Sequence, residues 1–249
     1  MKSLLQLLVI SLLFSCAQPE ESKDFSPLLI AHAGGAIDGC IYTNSREAME
    51  RAFEKGFRFI EFDLLFTSDS VLVAAHSWSE FNRATGYENF GDSVPLYSDF
   101  VSRKIHGRYT PLSAADINAF FEQNESLFLV TDKISDPDVL QKYFPLLKER
   151  MVVEAFSFQH YCRLKSRGFF RVLYSCMAQD LNATLLSSSL KEIEWFALHT
   201  SAFDNIVFKF INELYDFNIA LFTVDDIDSV PQEHRNDVKM IYTDLLEPK

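Results

Sequence analysis

Apolar runs and polar ends alternate along this chain. Residues 28–31 read L-L-I-A and stop at His32-Ala33-Gly34-Gly35, which predicts a short strand that delivers a histidine into a glycine-rich turn. Ala48, Met49, Ala52 and Phe53 then recur with helical spacing, with Asn44 or Ser45 as the cap and Gly56 as the stop. Phe57, Phe59 and Ile60 open a second strand that ends in Glu61 and Asp63, and the apolar run 71–75 leads to His76. Residues 77–110 carry no period and predict a loop over the site.

Beyond that loop the alternation resumes. Ser113 and Asp116 stand at capping-box spacing ahead of a helix over 113–123. A strand over 127–130 ends in Thr131-Asp132-Lys133, and a helix over 138–150 follows Pro137. Further strands are expected at 151–156, 169–174, 195–198, 219–224 and 238–242. Helices are expected at 158–166 and 204–215, with a short one from Ile227.

Strand and helix in turn imply an α/β fold with a parallel sheet, and an irregular (β/α)8 TIM barrel is the architecture expected. There are nine strand candidates, one more than a barrel needs, and the link between Asp63 and Val71 is too short for a crossover helix. The irregularity is therefore expected there. A doubly wound open sheet is the competing architecture, but the chain has neither G-x-G-x-x-G nor G-x-x-x-x-G-K.

The chemistry gathers at the predicted strand ends. In a strand, residues two apart face the same way, so Glu61 and Asp63 stand side by side. Two such carboxylates repel unless a cation lies between them or one is protonated. A hard divalent cation, Mg or Ca, resolves the repulsion. His32, His76 and Asp132 end other strands, and a TIM barrel keeps its active site at that rim. Carboxylates with histidines at one rim suit metal-assisted hydrolysis.

Composition narrows the partners. The 249 residues carry a formal net charge of -12, which argues against nucleic acid or an anionic membrane surface as an electrostatic partner. Lys2 and the apolar run 4–14 precede L-F-S-C at 13–16, a pattern that resembles a bacterial lipoprotein signal. The expected organisation is a signal over 1–16 ending at a lipidated Cys16, a polar tether over 17–26 and one domain over 27–249. The protein would then sit in the cell envelope outside the cytoplasm, on the membrane through its lipid. A plain secretory signal is the alternative. Cys40, Cys162 and Cys176 remain, and buried thiols are expected rather than a Cys162–Cys176 pair.

Taken together, these stretches resemble the glycerophosphodiester phosphodiesterase family of phospholipase-C-like TIM barrels. The family opens with H-R-G, E-N-T, E-x-D, T-x-D-G and H-D. The matching stretches here are His32-Ala33-Gly34, Thr43-Asn44-Ser45, Glu61-Phe62-Asp63, Thr67-Ser68-Asp69-Ser70 and His76-Ser77. Leu221-Phe222-Thr223-Val224-Asp225 is similar to the family's W-T-V-N, and Ile241-Tyr242-Thr243-Asp244 to its I-x-T-D. The resemblance implies His32 and His76 as acid and base, and Glu61, Asp63 and Asp132 as ligands of one divalent cation. It implies Lys133 and Glu154 at the substrate, which would be a small phosphodiester of glycerophosphodiester or lysophospholipid type. The departures are Ala33 for the phosphate-holding arginine, Thr43 for the Glu of E-N and Ser77 for the Asp of H-D. The family's E-x-K strand reads Thr131-Asp132-Lys133 here, so either Asp132 is the ligand and Lys133 faces away, or Lys133 faces in and the third ligand is lost. Glu154 could stand in for it. A decayed barrel that only binds, or another metal-dependent hydrolase on this fold, are the alternatives, and the oligomeric state is left open.

Overall fold

The computed structural model describes residues 25–176, 181–187, 189–215 and 217–249. The expected signal, Cys16 and the tether up to residue 24 lie outside the described residues. Among those described, no helix is long and apolar enough to cross a membrane.

Among the described residues nine strands form the sheet: β1 (Leu28–Ala31), β2 (Phe59–Phe66), β3 (Leu72–Ala74), β4 (Phe128–Asp132), β5 (Met151–Ala155), β6 (Arg171–Ser175), β7 (Trp195–His199), β8 (Asn218–Phe222) and β9 (Val238–Thr243). Their order is β1-β9-β8-β7-β6-β5-β4-β2-β3, and β1 also pairs with β2. The last pairing closes eight parallel strands into a barrel. The ninth strand, β3, pairs antiparallel with β2 as a hairpin outside the ring, which is the expected irregularity.

Alternation along each strand separates two cores. Ile30, Val130, Val152, Leu173, Ala197, Ala220 and Met240 fill the barrel interior, with Phe59 against them. Their outward neighbours Ile60, Phe62, Leu129, Val153, Phe196 and Ile241 meet the surrounding helices. Strands buried on both faces read as continuous apolar runs, so the sequence shows the strands better than it shows which side faces inward. Because the side-chain period is two, the next inward positions above the interior layer are His32, Glu61, Asp63, Asp132, Glu154 and Tyr242. The fold thus carries its polar residues to one end of a dry core.

Helices α1 (Arg46–Glu54), α4 (Ala114–Gln123), α6 (Phe158–Ser166) and α8 (Ile206–Tyr215) lie close to their predicted spans. Ser45, not Asn44, caps α1 by accepting from the Ala48 N–H, and Ser113 and Asp116 form the capping box of α4. Phe53 is more than a third exposed, against expectation, and packs edge-on against Phe120.

Residues 77–110 are not all loop: α2 (Trp78–Ala84) and α3 (Tyr97–Ser102) stack Phe81 on Phe100 with centroids 4.6 Å apart. Helices this short span too few turns to display a period. The helix expected over 138–150 stops as α5 (Pro137–Tyr143), because Pro145 disfavours helical backbone at Phe144. The short α7 (Leu181–Leu185) went unpredicted for the same reason of length. Cys176 is buried as expected, but Cys162 is an exposed free thiol and Cys40 is half-buried.

The turn after β1 is the tightest constraint on the rim. Ala33, Gly34 and Gly35 take φ of 48°, 85° and 84° in succession. A Cβ at Gly34 would lie 3.1 Å from the Ala48 methyl, in a backbone region that costs an L-residue about 1–2 kcal/mol. Gly39 has φ of 79° but open space around it. Gly34→Ala is expected to destabilise more than Gly39→Ala, with the difference read from urea midpoints at equal m-value.

Candidate active site

The register of the barrel brings the carboxylates together. Asp63 of β2 is the Cα partner of Asp132 of β4, and Glu61 lies one inward position below Asp63. Carboxylate oxygens of Glu61, Asp63 and Asp132 all lie within 4.8 Å of one another. Glu61 and Asp63 are almost wholly buried. Glu154 of β5 is also buried, and accepts a 2.6 Å hydrogen bond from the Tyr242 hydroxyl.

Each carboxylate is held by its own partners. The Ala33 N–H donates to Glu61 Oε2 at 2.7 Å, which is what the left-handed turn after β1 accomplishes. Asn44 donates from Nδ2 to Asp63 Oδ2 at 3.0 Å and accepts the Asp63 N–H at 3.1 Å. Asn44 is therefore a buried clasp on the strand that carries Glu61 and Asp63 rather than a helix cap. Lys133, in left-handed backbone at φ 68°, turns its Nζ back to 3.5 Å from Asp63 and 3.3 Å from Asp132. That geometry removes the choice the sequence posed: Asp132 and Lys133 both face the site, because the strand ends there and alternation stops.

Burial, with Asp63 and Asp132 close by, pushes the Glu61 carboxyl well above its ordinary range. Burial and Asp63 raise Asp132 as well. Glu154 is pushed up to about 8, chiefly by burial and then by Asp132. Burial works against the Lys133 ammonium, yet Asp132 and Asp63 hold its pKa above the usual value. Glu61 Oε1 is buried with no hydrogen-bond partner. Three converging carboxylates with an orphaned oxygen fit a hard divalent cation with oxygen ligands.

The two histidines flank this cluster. His32 follows β1, with Nδ1 3.3 Å from Asp244 and 3.4 Å from the Thr223 hydroxyl. His76 returns to the rim because β3 runs antiparallel to β2, and the Ala75 N–H bonds to the Asp63 carbonyl at 2.9 Å. Its Nδ1 bonds to Glu80 on α2. His76 Nδ1 is bonded to a carboxylate, and His32 Nδ1 faces the Thr223 hydroxyl with the Asp244 carboxylate nearby, which leaves Nε2 of each ring as the nitrogen available to a substrate. His32, His76, Glu61, Asp63, Asp132, Lys133 and Glu154 line a single cavity of about 670 Å³, with Tyr42 among the other lining residues. All seven candidates are thus brought together. Sequence reasoning missed Tyr42, Glu80 and the part played by Asn44. Asn44 stood in a quoted motif, whereas Tyr42 lies in a loop where no period marks it.

Residues 33–200 match the model of the glycerophosphoryl diester phosphodiesterase family, and the chain belongs to that family. A search of curated proteins finds no match. Among solved structures, a putative glycerophosphoryl diester phosphodiesterase from Agrobacterium tumefaciens superposes with a TM-score of 0.66 at 13% identity, covering 88% of this chain and 94% of that one. A glycerophosphodiester phosphodiesterase from Thermotoga maritima gives 0.65 at 14% identity, covering 88% and 95%. An Oleispira antarctica phosphodiesterase in complex with the product sn-glycerol-3-phosphate gives 0.63 at 16% identity, covering 88% and 94%. At these identities the superpositions establish the shared barrel.

The raised carboxyl groups make a pH prediction for the metal-free protein. Glu154 titrates at about 8 when folded against an ordinary value of 4.5. Its folded pKa is raised, so the folded state holds a proton that the unfolded chain gives up. Stability from this group is complete below about pH 4.5 and is lost as pH rises through about 8. Urea midpoints measured with a chelator present are expected to fall across that window. Glu154→Gln, which cannot ionise, is expected to flatten the fall.

Proposed function

We propose that the chain is a metal-dependent phosphodiesterase that cleaves glycerophosphodiester-type or lysophospholipid-type substrates, with His32 and His76 as acid and base. The observation that carries this reading is the convergence of Glu61, Asp63 and Asp132 beneath two rim histidines. A divalent cation, Mg or Ca, held by these three carboxylates would neutralise the non-bridging charge of the phosphoryl group and lower the barrier electrostatically. The chain's own residues supply the rest. Asn44 and the Ala33 N–H fix the carboxylates before any ligand arrives. Lys133 adds a positive charge at the cavity wall, where Ala33 offers none. Of the two available Nε2 atoms, one takes the proton of the attacking oxygen and the other returns a proton to the leaving alcohol. Asp244 and Glu80 at the opposite nitrogens stabilise whichever imidazole is charged.

The attacking oxygen belongs either to water or to a neighbouring hydroxyl of the substrate. We favour the hydroxyl where the substrate offers one, because intramolecular attack gains from proximity and the site has no arginine at residue 33 to grip the phosphate. Phosphorus NMR during turnover of a glycerophosphodiester should then show a cyclic phosphate, transient or final. Immediate monoester alone, with solvent oxygen incorporated in one turnover, rejects hydroxyl attack.

Calorimetric titration with Mg and Ca tests the cation. Glu61→Gln and Asp63→Asn are each expected to abolish binding while the far-ultraviolet circular dichroism is unchanged. Binding at wild-type affinity by either variant would rule out this ligand set. His32→Ala and His76→Ala are each expected to cut the turnover rate at least about a hundredfold. A protein that binds the cation but turns over no diester would instead be the decayed, binding-only barrel.

For the N-terminus we propose a lipidated Cys16 that holds the protein on the envelope membrane, on the strength of L-F-S-C at the end of the apolar run. Cys16→Ser is expected to release the protein into the soluble fraction. A mature protein whose mass shows no lipid rejects the anchor.

A further inference from the structure

Tyr42 belongs to no motif quoted above, yet it touches both histidines. Its ring centroid lies 4.6 Å from that of His32 at an interplanar angle of 74°, and 5.0 Å from that of His76 at 62°. Both are edge-to-face contacts, the favoured geometry for aromatic pairs. Tyr42 also lines two adjoining cavities, the one above the carboxylates and a second of about 650 Å³ beside Ile41, Phe81 and Ile105. His76 is the other site residue common to both.

The backbone around Tyr42, together with a contact of its hydroxyl with Thr223, explains how so exposed a ring is held. Tyr42 and Asn44 both adopt left-handed φ, of 55° and 47°. The Asn44 N–H donates to the Ala33 carbonyl at 3.1 Å, and the Asn44 side chain is clasped to Asp63 through two hydrogen bonds. Thr43 and Ser45 share a further bond at 2.9 Å across it. The loop is thus tied to the ligand-bearing strand, and left-handed backbone, sparsely used by residues such as Tyr, aims the ring inward.

The two imidazoles differ in what else fixes them. His32 is mostly buried, between Asp244, Thr223 and the ring of Tyr242. His76 is a third exposed, and its side chain has Glu80 on one side and Tyr42 on the other. Without the Tyr42 ring, His76 could turn with Glu80 toward the second cavity. A catalytic proton donor displaced by about 1 Å can lose about a hundredfold in rate.

We propose that Tyr42 is a positioning residue: its ring is the spacer that holds the His32 and His76 imidazoles apart and facing the space above the carboxylates. The proposal rests on the acid–base reading of those histidines for its kinetic consequences, but not for its geometric ones. Aromatic bulk is what the spacer needs, so phenylalanine at residue 42 keeps the function and alanine loses it.

The test has two arms. In the first, NMR of the full chain records the imidazole protons of the two histidines, assigned through His32→Gln and His76→Gln. Contacts from both rings to Tyr42 are expected in the wild type, as are ring-current displacements of both that persist in Tyr42→Phe. In Tyr42→Ala, His76 is expected to lose its fixed orientation while His32 keeps its own. A His76 ring that keeps a single fixed orientation and its wild-type contacts to Glu80 in Tyr42→Ala, with only the ring-current displacement lost, overturns the proposal, and this arm needs no turnover. In the second arm, turnover is compared on glycerophosphocholine and on bis(p-nitrophenyl) phosphate, whose leaving group needs little protonation. Tyr42→Ala is expected to lower kcat on the alkyl diester about tenfold to a hundredfold, and on the activated one by much less. KM and calorimetric metal affinity should stay within about twofold, and Tyr42→Phe should recover most of the lost rate. Loss of metal affinity in Tyr42→Ala would reduce the residue to a structural support. An equal loss in Tyr42→Phe would mean that the hydroxyl matters rather than the ring. Wild-type protein that cleaves neither diester would fail the phosphodiesterase reading, and the NMR arm would still decide the spacer.

Discussion

The structure depends on burying several carboxylates at one end of a dry barrel. Glu61, Asp63 and Glu154 are each about 5% exposed or less, and Asp132 joins them through the β2–β4 register. An unpaired buried charge is costly enough that the group changes its protonation instead. The raised positions of Glu61, Asp132 and Glu154 are that response. A core built for stability alone would place leucine or valine at these positions, as the layer below does with Val130 and Val152. The cluster therefore destabilises the metal-free fold, and the rim is arranged around containing that cost.

The containment is visible in the loops. The β1 turn spends three left-handed residues to aim one N–H at Glu61. In the next loop left-handed Tyr42 and Asn44 bring Asn44 against Asp63 and, in the same movement, lay the Tyr42 ring between the histidines. Lys133 leaves the strand in left-handed backbone to reach two carboxylates. Ala33, Tyr42, Asn44 and Lys133, all in left-handed backbone, stand around the buried carboxylates, where preorganisation is needed. The hairpin of β2 and β3 serves the same end, because only an antiparallel return brings His76 back to the level of Asp63.

The barrel was largely legible in the chain because its strands are buried on both faces and read as apolar runs broken by polar ends. His32 directly follows Leu28–Ala31, Glu61 and Asp63 lie within Phe59–Phe66, and Phe128–Asp132 ends at Asp132, so reading the strands also located residues that line the cavity. The extra strand could be inferred from a link too short for a helix. What stayed illegible was set by tertiary contacts rather than by period. The helices of residues 77–110 cohere through the Phe81–Phe100 stack, and that pairing has no signature along the chain. Lys133 could not be oriented from the sequence, because alternation predicts facing only while the strand continues. Tyr42 was invisible for a related reason: its placement comes from two left-handed residues and from the Asn44–Asp63 bond, which spans 19 positions in sequence.

The departure at Ala33 reads differently once the site is built. That residue is fully buried, with its N–H bonded to Glu61 and its backbone left-handed. Its contribution to the carboxylate cluster comes from the peptide and survives any side chain that the turn tolerates. A methyl group there leaves no charged arm over the cavity, so on the proposed reading phosphate charge must be met from elsewhere on the rim. Lys133 is placed for that, being drawn to Asp63 and Asp132 while the cluster is anionic. A divalent cation among those carboxylates would satisfy them and weaken their hold on the ammonium, because like charges close together repel. The lysine would then be freer to meet an anionic phosphoryl group. The same residue offsets carboxylate charge in the metal-free protein and, on the proposed reading, would become available to the substrate as the site fills, a source of positive charge for a barrel that has alanine at residue 33.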